Sequence, residues 1–219
     1  MKNIAIIWDL DGTLLDTLQD LTEGTNYALR YFGLPERNRE EVRSFVGNGV
    51  RQLIARALPG KEDDPDVDAV LEVYHTYYNA HCQEKTRPYD GIVDALASLK
   101  QAGFPMAVVS NKPDRAVKIL CDQYFPGIYA RGERSDCARK PAPDMLHKAM
   151  QALAVDRCIY VGDSEVDVQT AKNASVPCLS VLWGFRDRQA LAEAGAVRFC
   201  EEPCQLTQIL SAMEEEYGK

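Results

Sequence analysis

The stretch IIWDLDGTLLDT, residues 6–17, ends an apolar run in two carboxylates, Asp9 and Asp11, one residue apart and just ahead of Gly12. On an extended backbone, residues i and i+2 point to the same side, so the two acids face one space. Two further apolar runs end in polar residues. VVSNK carries Ser110 and Asn111, and YVGDSEVD carries Gly162, Asp163 and Ser164, with Asp167 four residues beyond Asp163. The segment CARKPAPDM adds Lys140 just before a helix. Carboxylates brought together from neighbouring strands repel one another in a partly dry cleft. A hard divalent cation, Mg²⁺ above all, relieves that repulsion and is held by a few carboxylates together with water and a substrate phosphate.

Each residue alone has a plainer reading. An Asp at a strand end caps a helix or turns the chain, Ser110 and Asn111 do the same, and a lone lysine is solvated. Their joint position at the ends of separate strands favours chemistry.

The elements that must hold these residues follow from the hydrophobic pattern. NIAIIW, PMAVVS, CIYVGD and PCLSVLW are short Val- and Ile-rich runs, the pattern of parallel strands buried on both faces. Between and after them, Ile92, Ala95, Leu96 and Leu99 follow the i, i+3, i+4, i+7 spacing of an amphipathic helix, as do Leu146, Ala149, Met150 and Leu153, and Leu206, Ile209, Leu210 and Met213. Alternating strands and helices predict a doubly wound, Rossmann-like parallel α/β sheet, with its ligand site outside the carboxyl ends of the strands. From Thr17 to Lys85 only helical patterns occur, over 16–32, 39–58 and 66–84. The expected organisation is an α/β core of residues 1–16 and 86–219, interrupted by an α-helical cap of residues 17–85.

Bulk properties narrow the function. The chain of 219 residues has 33 acidic and 25 basic side chains, a net charge of -8 and no basic cluster, so no nucleic-acid partner is expected. The opening MKNIAIIW is too short an apolar run for a signal peptide, and no stretch approaches the roughly 18 apolar residues of a membrane span. A cytoplasmic protein without membrane association is expected, as a monomer or homodimer. The odd count of 7 cysteines, without tight pairing, is expected to be reduced. Cys200 and Cys204 lack the additional ligands of a tetrahedral metal site.

The order and wording of four segments resemble the haloacid dehalogenase superfamily of Mg²⁺-dependent phosphohydrolases: DLDGT at 9–13, SNK at 110–112, KPAPD at 140–144 and GDSEVD at 162–167. The likeness spans essentially the whole chain, including the place of a helical cap. The resemblance implies Asp9 as the nucleophile that forms an aspartyl-phosphate, and Asp11 as the acid and then the base. It implies Mg²⁺ held by Asp9, the backbone carbonyl of Asp11 and Asp163, with Asp167 acting through a water. Ser110, Asn111 and Lys140 would bind the phosphoryl group, and Gly12 and Thr13 fit the tight turn after the first strand. Trp8 stands where the family more often has phenylalanine.

Within that family, Asp11 argues against the metal-free dehalogenases. A phosphonatase needs a cap lysine, and the cap offers Lys61 and, at its edge, Lys85. A β-phosphoglucomutase-like phosphomutase is a closer rival, but it places a cap histidine near the sugar, and His75 and His81 read as ordinary helix residues. The segment RSFVGNGVRQLI, residues 43–54, looks like the cap loop of phosphoglycolate phosphatases. There Gly47, Asn48 and Gly49 break the helical pattern, and the restarting helix is expected to offer backbone N–H groups and Arg51 to an anion, with Arg56 a weaker candidate. The expected substrate is a small phosphorylated metabolite, 2-phosphoglycolate first, with sugar phosphates, pyrophosphate and nucleoside monophosphates as alternatives.

Overall fold

The computed structural model describes residues 2–60 and 65–217. Lys61 lies outside the described residues. The first strand, β1 (Ile4–Trp8), is buried along its whole length, and its side chains divide between two cores by the two-residue period of a strand. Ile4, Ile6 and Trp8 join one core, while Ala5 and Ile7 join another on the opposite face of the sheet. Such a strand must be covered on both sides, which explains the continuous apolar run.

After β1 the chain makes the two-residue strand β2 (Leu15–Asp16) and then four helices: α1 (Leu18–Tyr31), α2 (Arg39–Phe45), α3 (Val50–Ala57) and α4 (Val67–His81). It returns through β3 (Arg87–Pro88), which pairs antiparallel with β2, so the outgoing and returning chains form one short ribbon. Asn38 and Glu41 cap α2 reciprocally, each side chain bonding the other's backbone N–H. The helical pattern over 39–58 breaks at Val46–Gly49, where Gly47 and Gly49 both adopt positive φ.

The rest of the chain is α5 (Ile92–Gln101), β4 (Met106–Pro113), α6 (Asp114–Tyr124), β5 (Tyr129–Glu133), α7 (Asp144–Ala152), β6 (Arg157–Gly162), α8 (Glu165–Asn173), β7 (Cys178–Val181), α9 (Arg188–Glu193), β8 (Phe199–Cys200), a 3-10 turn and α10 (Leu206–Tyr217). Six strands form one parallel sheet in the order β5-β4-β1-β6-β7-β8. The order reverses on either side of β1, a topological switch point where the strand ends diverge and leave a crevice. The predicted α/β architecture is thus observed, with two edge strands, β5 and β8, beyond the four expected. Among the described residues all seven cysteines are free thiols, and no helix is long and apolar enough to cross a membrane.

Candidate active site

Asp9 follows β1 directly, and its backbone N–H donates to the Val161 carbonyl of β6, so the sheet itself fixes where the side chain emerges. The chain then turns at Gly12, φ +85°, where a Cβ would lie 2.3 Å from Asp163 Oδ2. Only glycine permits that approach. Thr13 is fully buried behind this turn, and its hydroxyl donates to Asp163 Oδ1 at 3.0 Å. Asp163 Oδ2 accepts the Phe185 N–H at 2.7 Å.

Lys140 lies at the centre of the cluster. Its Nζ is 2.8 Å from Asp9 Oδ1 and 2.8 Å from Asp167 Oδ1, and it donates to the Tyr160 hydroxyl at 2.9 Å. The contact with Asp9 is an ion pair, and among the described residues Asp9 Oδ1 has no better-aligned hydrogen-bond donor. Asp167 is spoken for on both oxygens: Oδ1 accepts from Lys140 and Tyr160, and Oδ2 accepts from the backbone and hydroxyl of Ser164. Ser164 and Asp167 also form the capping box of α8, so the plain capping role and the role in the cluster fall on one residue.

Electrostatics follow from this crowding. Burial pushes the Asp9 carboxyl well above the usual carboxylate range, and the charges of Asp167 and Asp163 add to it against the pull of Lys140. Asp163 is pushed up to about 7 by burial first and Asp167 second. Burial acts on Asp167 in the same sense, but Lys140, Ser164 and Tyr160 outweigh it and hold that carboxyl below its ordinary value. Burial likewise opposes the Lys140 charge, yet Asp167 and Asp9 keep its pKa raised. Oxygens of Asp9, Asp163 and Asp167 lie within 4.8 Å of one another, and Lys140 is the ammonium that bridges two of these acids. With all three acids ionised, one ammonium leaves an excess of two negative charges; burial and mutual repulsion therefore favour protons on Asp9 and Asp163, and a divalent cation is the group that replaces those protons. The donor set therefore fits a hard metal ion, with Asp9 and Asp163 offering oxygens and Asp167 holding Lys140.

The pocket over this cluster is lined on the sheet side by Asp9, Asp11, Ser110, Asn111, Lys112, Lys140 and Asp163. From the helical unit it is roofed by Leu21, Val46, Gly47, Gly49, Val50, Leu53, Tyr74 and Tyr78. Asn111 ties the two sides together: its Oδ1 accepts the Lys140 N–H at 2.8 Å, and its Nδ2 donates to the carbonyls of Lys140 and Gly47 at 2.9 and 3.2 Å.

Four expected substrate-binding residues do not line the pocket. Gly12 instead leaves room for Asp163, and Thr13 donates to it from behind. Asn48 lies between Gly47 and Gly49, which do line it. Arg51 lies apart from the pocket, its guanidinium paired with Asp68 on the surface at 3.0 and 3.3 Å. The inward face of α3 is taken by Leu53, Ile54 and Ala57, so Arg51 falls on the outer side. Arg56 donates to the Phe45 carbonyl at the end of α2. His81 pairs with Glu84, His75 opens to an outer groove beside α4, and neither they nor Lys85 line the pocket.

Lys112, the third residue of SNK, carried no expected role. It is buried, and its Nζ donates to Asp11 Oδ1 at 2.7 Å and lies 4.8 Å over the Tyr78 ring. Tyr78 brings to the same pocket a buried hydroxyl that has no hydrogen-bond partner among the described residues. Its position in an ordinary amphipathic helix carried no signal.

The fold and site together define an α/β protein with a buried carboxylate cluster at the switch point of a parallel sheet and a helical roof over it. The family profile of the haloacid dehalogenase-like hydrolases matches residues 6–181. The phosphoglycolate phosphatase 1 of Pseudomonas aeruginosa is 36% identical over 198 residues, 86% of this chain and 72% of that protein. The phosphoglycolate phosphatase of Mesorhizobium japonicum is 33% identical over 198 residues, 86% of each chain. A crystal structure from Lactobacillus delbrueckii subsp. bulgaricus, proposed to be a phosphoglycolate phosphatase, is 39% identical and superposes with a TM-score of 0.87, covering 96% of this chain and 99% of that one. The chain belongs to the haloacid dehalogenase-like hydrolases. It is a phosphatase of that family.

Proposed function

We propose that this phosphatase hydrolyses 2-phosphoglycolate through an aspartyl-phosphate on Asp9, with residues 17–85 acting as a cap that selects the substrate. The observation that carries the reading is Asp9, in contact with Lys140, beneath a roof that closes to within hydrogen-bond distance of the core at Gly47. So close a roof favours a small ester, and the similarity to the Pseudomonas and Mesorhizobium enzymes points to which one.

Mg²⁺ would be held by Asp9, Asp163 and the Asp11 carbonyl, and it would offset charge on the phosphoryl oxygens. An Asp9 carboxylate oxygen attacks phosphorus in line while the bond to the glycolate oxygen breaks. Lys140 neutralises charge on Asp9 and the transferred group, and Ser110 and the adjacent backbone N–H donate to phosphoryl oxygens. Asp11 gives its proton to the departing glycolate oxygen and then takes one from the water that cleaves the acyl phosphate, regenerating Asp9 and releasing phosphate. Lys112 holds Asp11 Oδ1, which directs proton exchange to Oδ2. The substrate carboxylate meets the backbone N–H groups at the start of α3 and the Tyr78 hydroxyl rather than Arg51. The helical roof excludes water from the attacking oxygen.

The test is phosphate release, with Mg²⁺ present, from 2-phosphoglycolate, sugar phosphates, pyrophosphate and nucleoside monophosphates, compared by kcat/KM. Phosphoglycolate is expected to lead the panel. A sugar phosphate turned over only after priming by a bisphosphate, without net phosphate release, would establish the mutase alternative instead.

A further inference from the structure

The loop after β7 joins the helical unit to the carboxylate cluster. Phe185 uses both of its backbone groups there: its N–H donates to Asp163 Oδ2 at 2.7 Å, and its carbonyl accepts from Arg43 Nε at 2.9 Å. Arg43 Nη2 donates to the neighbouring Gly184 carbonyl at 3.0 Å. Gly184 packs so closely that a Cβ there would lie 2.3 Å from Asp163 Cβ and 2.5 Å from the Gly12 carbonyl oxygen. The loop therefore cannot shift without moving the carboxylate.

The tie is reciprocal. Arg186, from the same loop, donates to the carbonyls of Arg43 and Val46 at 3.1 and 2.8 Å. These carbonyls stand at the C-terminal end of α2, where backbone acceptors lack helical partners and partial negative charge favours a cation. Glu165, at the start of α8, holds Arg186 from the other side at 2.8 Å. Two arginines thus cross the boundary in opposite directions, each gripping main-chain oxygens on the far side. Neither Asp163 nor a substrate is touched by Arg43 itself.

We propose that Arg43 is a positioning residue. By gripping the Gly184 and Phe185 carbonyls when the helical unit sits on the core, it fixes the Phe185 N–H against Asp163 and so ties closure of the cap to the readiness of the metal-holding carboxylates. This rests on the proposed reading of residues 17–85 as a cap and of Asp163 as a metal-holding group. Coupling of this kind is mutual: whatever orders Asp163 favours closure, and closure orders Asp163.

The test uses Arg43→Gln and Arg43→Lys, the latter keeping the charge but losing the planar fork that spans two carbonyls. Mg²⁺ alone, titrated calorimetrically, is expected to bind Arg43→Gln about ten-fold more weakly than wild type, the scale of losing a group that orients a metal ligand. Arg43→Lys is expected to fall between them. Amide exchange in residues 183–187 is expected to accelerate in the variants. Mg²⁺, which should slow exchange across residues 43–47 in the wild type, should no longer do so in Arg43→Gln. With whichever phosphomonoester the wild type turns over best, kcat is expected to fall more than KM rises.

A folded Arg43→Gln with unchanged Mg²⁺ affinity and unchanged exchange at 183–187 overturns the proposal, whatever its thermal stability. If Arg43→Gln does not fold, Arg43→Lys and Arg186→Gln carry the same measurements. Wild-type protein that binds Mg²⁺ with this coupling but ignores phosphoglycolate overturns the substrate reading and supports this one. Wild-type protein that binds no Mg²⁺ overturns the metal-holding role of Asp163, and this proposal with it.

Discussion

Lys112 Nζ donates to Asp11 Oδ1 at 2.7 Å, inside a pocket whose roof places the Tyr78 ring 4.8 Å away. The pair joins the third residue of SNK to the second aspartate of DLDGT. Burial opposes the Lys112 charge, but Asp11 outweighs it and keeps the lysine pKa raised. Asp11 is therefore oriented by a fixed cation. Replacing Lys112 with Met should lower kcat by roughly 10²-fold, the lower range for loss of a positioned proton donor, with circular dichroism unchanged. Turnover close to wild type would show that Asp11 needs no such partner.

Asp9→Asn removes the proposed nucleophile at almost no change in volume. Its kcat should fall by roughly 10³-fold or more, in line with loss of a residue that acts as one unit with its partners. The protein should still bind phosphate and unfold cooperatively. Mass spectrometry of quenched wild-type enzyme should find a phosphoryl adduct on the peptide containing Asp9, and the variant should show none.

Asp163 makes stability depend on pH in the metal-free protein. The unfolded chain loses this proton near 3.8 and the folded chain near 7. Between those values the folded state holds a proton that the unfolded state has lost, so the contribution of Asp163 to stability falls as pH rises from about 4 to about 7 and is level above that. Mg²⁺ competes with the same proton, so its stabilising effect should grow over this window. Melting temperatures in EDTA and in Mg²⁺ from pH 4.5 to 8 measure both trends. In Asp163→Asn, stability relative to wild type should improve with pH when metal is absent. A pH-independent difference would show that the carboxyl does not titrate there.

Tyr78 and Arg51 separate recognition inside the pocket from charge outside it. Tyr78→Phe keeps the ring and removes the unpaired hydroxyl, so stability should hold or rise slightly. If that hydroxyl donates to the substrate carboxylate, kcat/KM for phosphoglycolate should fall by roughly ten-fold or more, the worth of a hydrogen bond to a charged group. Hydrolysis of p-nitrophenyl phosphate should change little. Arg51→Ala removes only an exposed ion pair and should leave kcat/KM for both substrates within about two-fold of wild type. A larger selective loss in Arg51→Ala would return the carboxylate contact to that side chain.

The strands that carry the site were legible because each is a continuous apolar run covered on both faces: β1, β4, β6 and β7. The edge strand β5 was not, since YARGE places Arg131 and Gly132 in its middle. Strands β2, β3 and β8 have two residues each, and they exist because other chain segments lie beside them. The break at Gly47 and Gly49 was legible because glycine alone takes such backbone angles readily. The direction of Arg51 was not, because helical periodicity gives a face but not its neighbour.

The sequence by itself determined the reactive groups and their order: two aspartates after the first strand, a serine and asparagine towards the end of β4, a lysine before a helix, and two further aspartates after β6. Those are local facts, set by strand period, cap chemistry and turn residues. Tertiary structure alone decided who meets whom. Lys112 reaches Asp11 across 101 residues, Thr13 reaches Asp163 across 150, and Arg43 reaches Phe185 across 142. No local propensity encodes such pairings. They arise when the buried sheet brings strand ends together and the excluded water leaves each polar group only the partner that packing supplies.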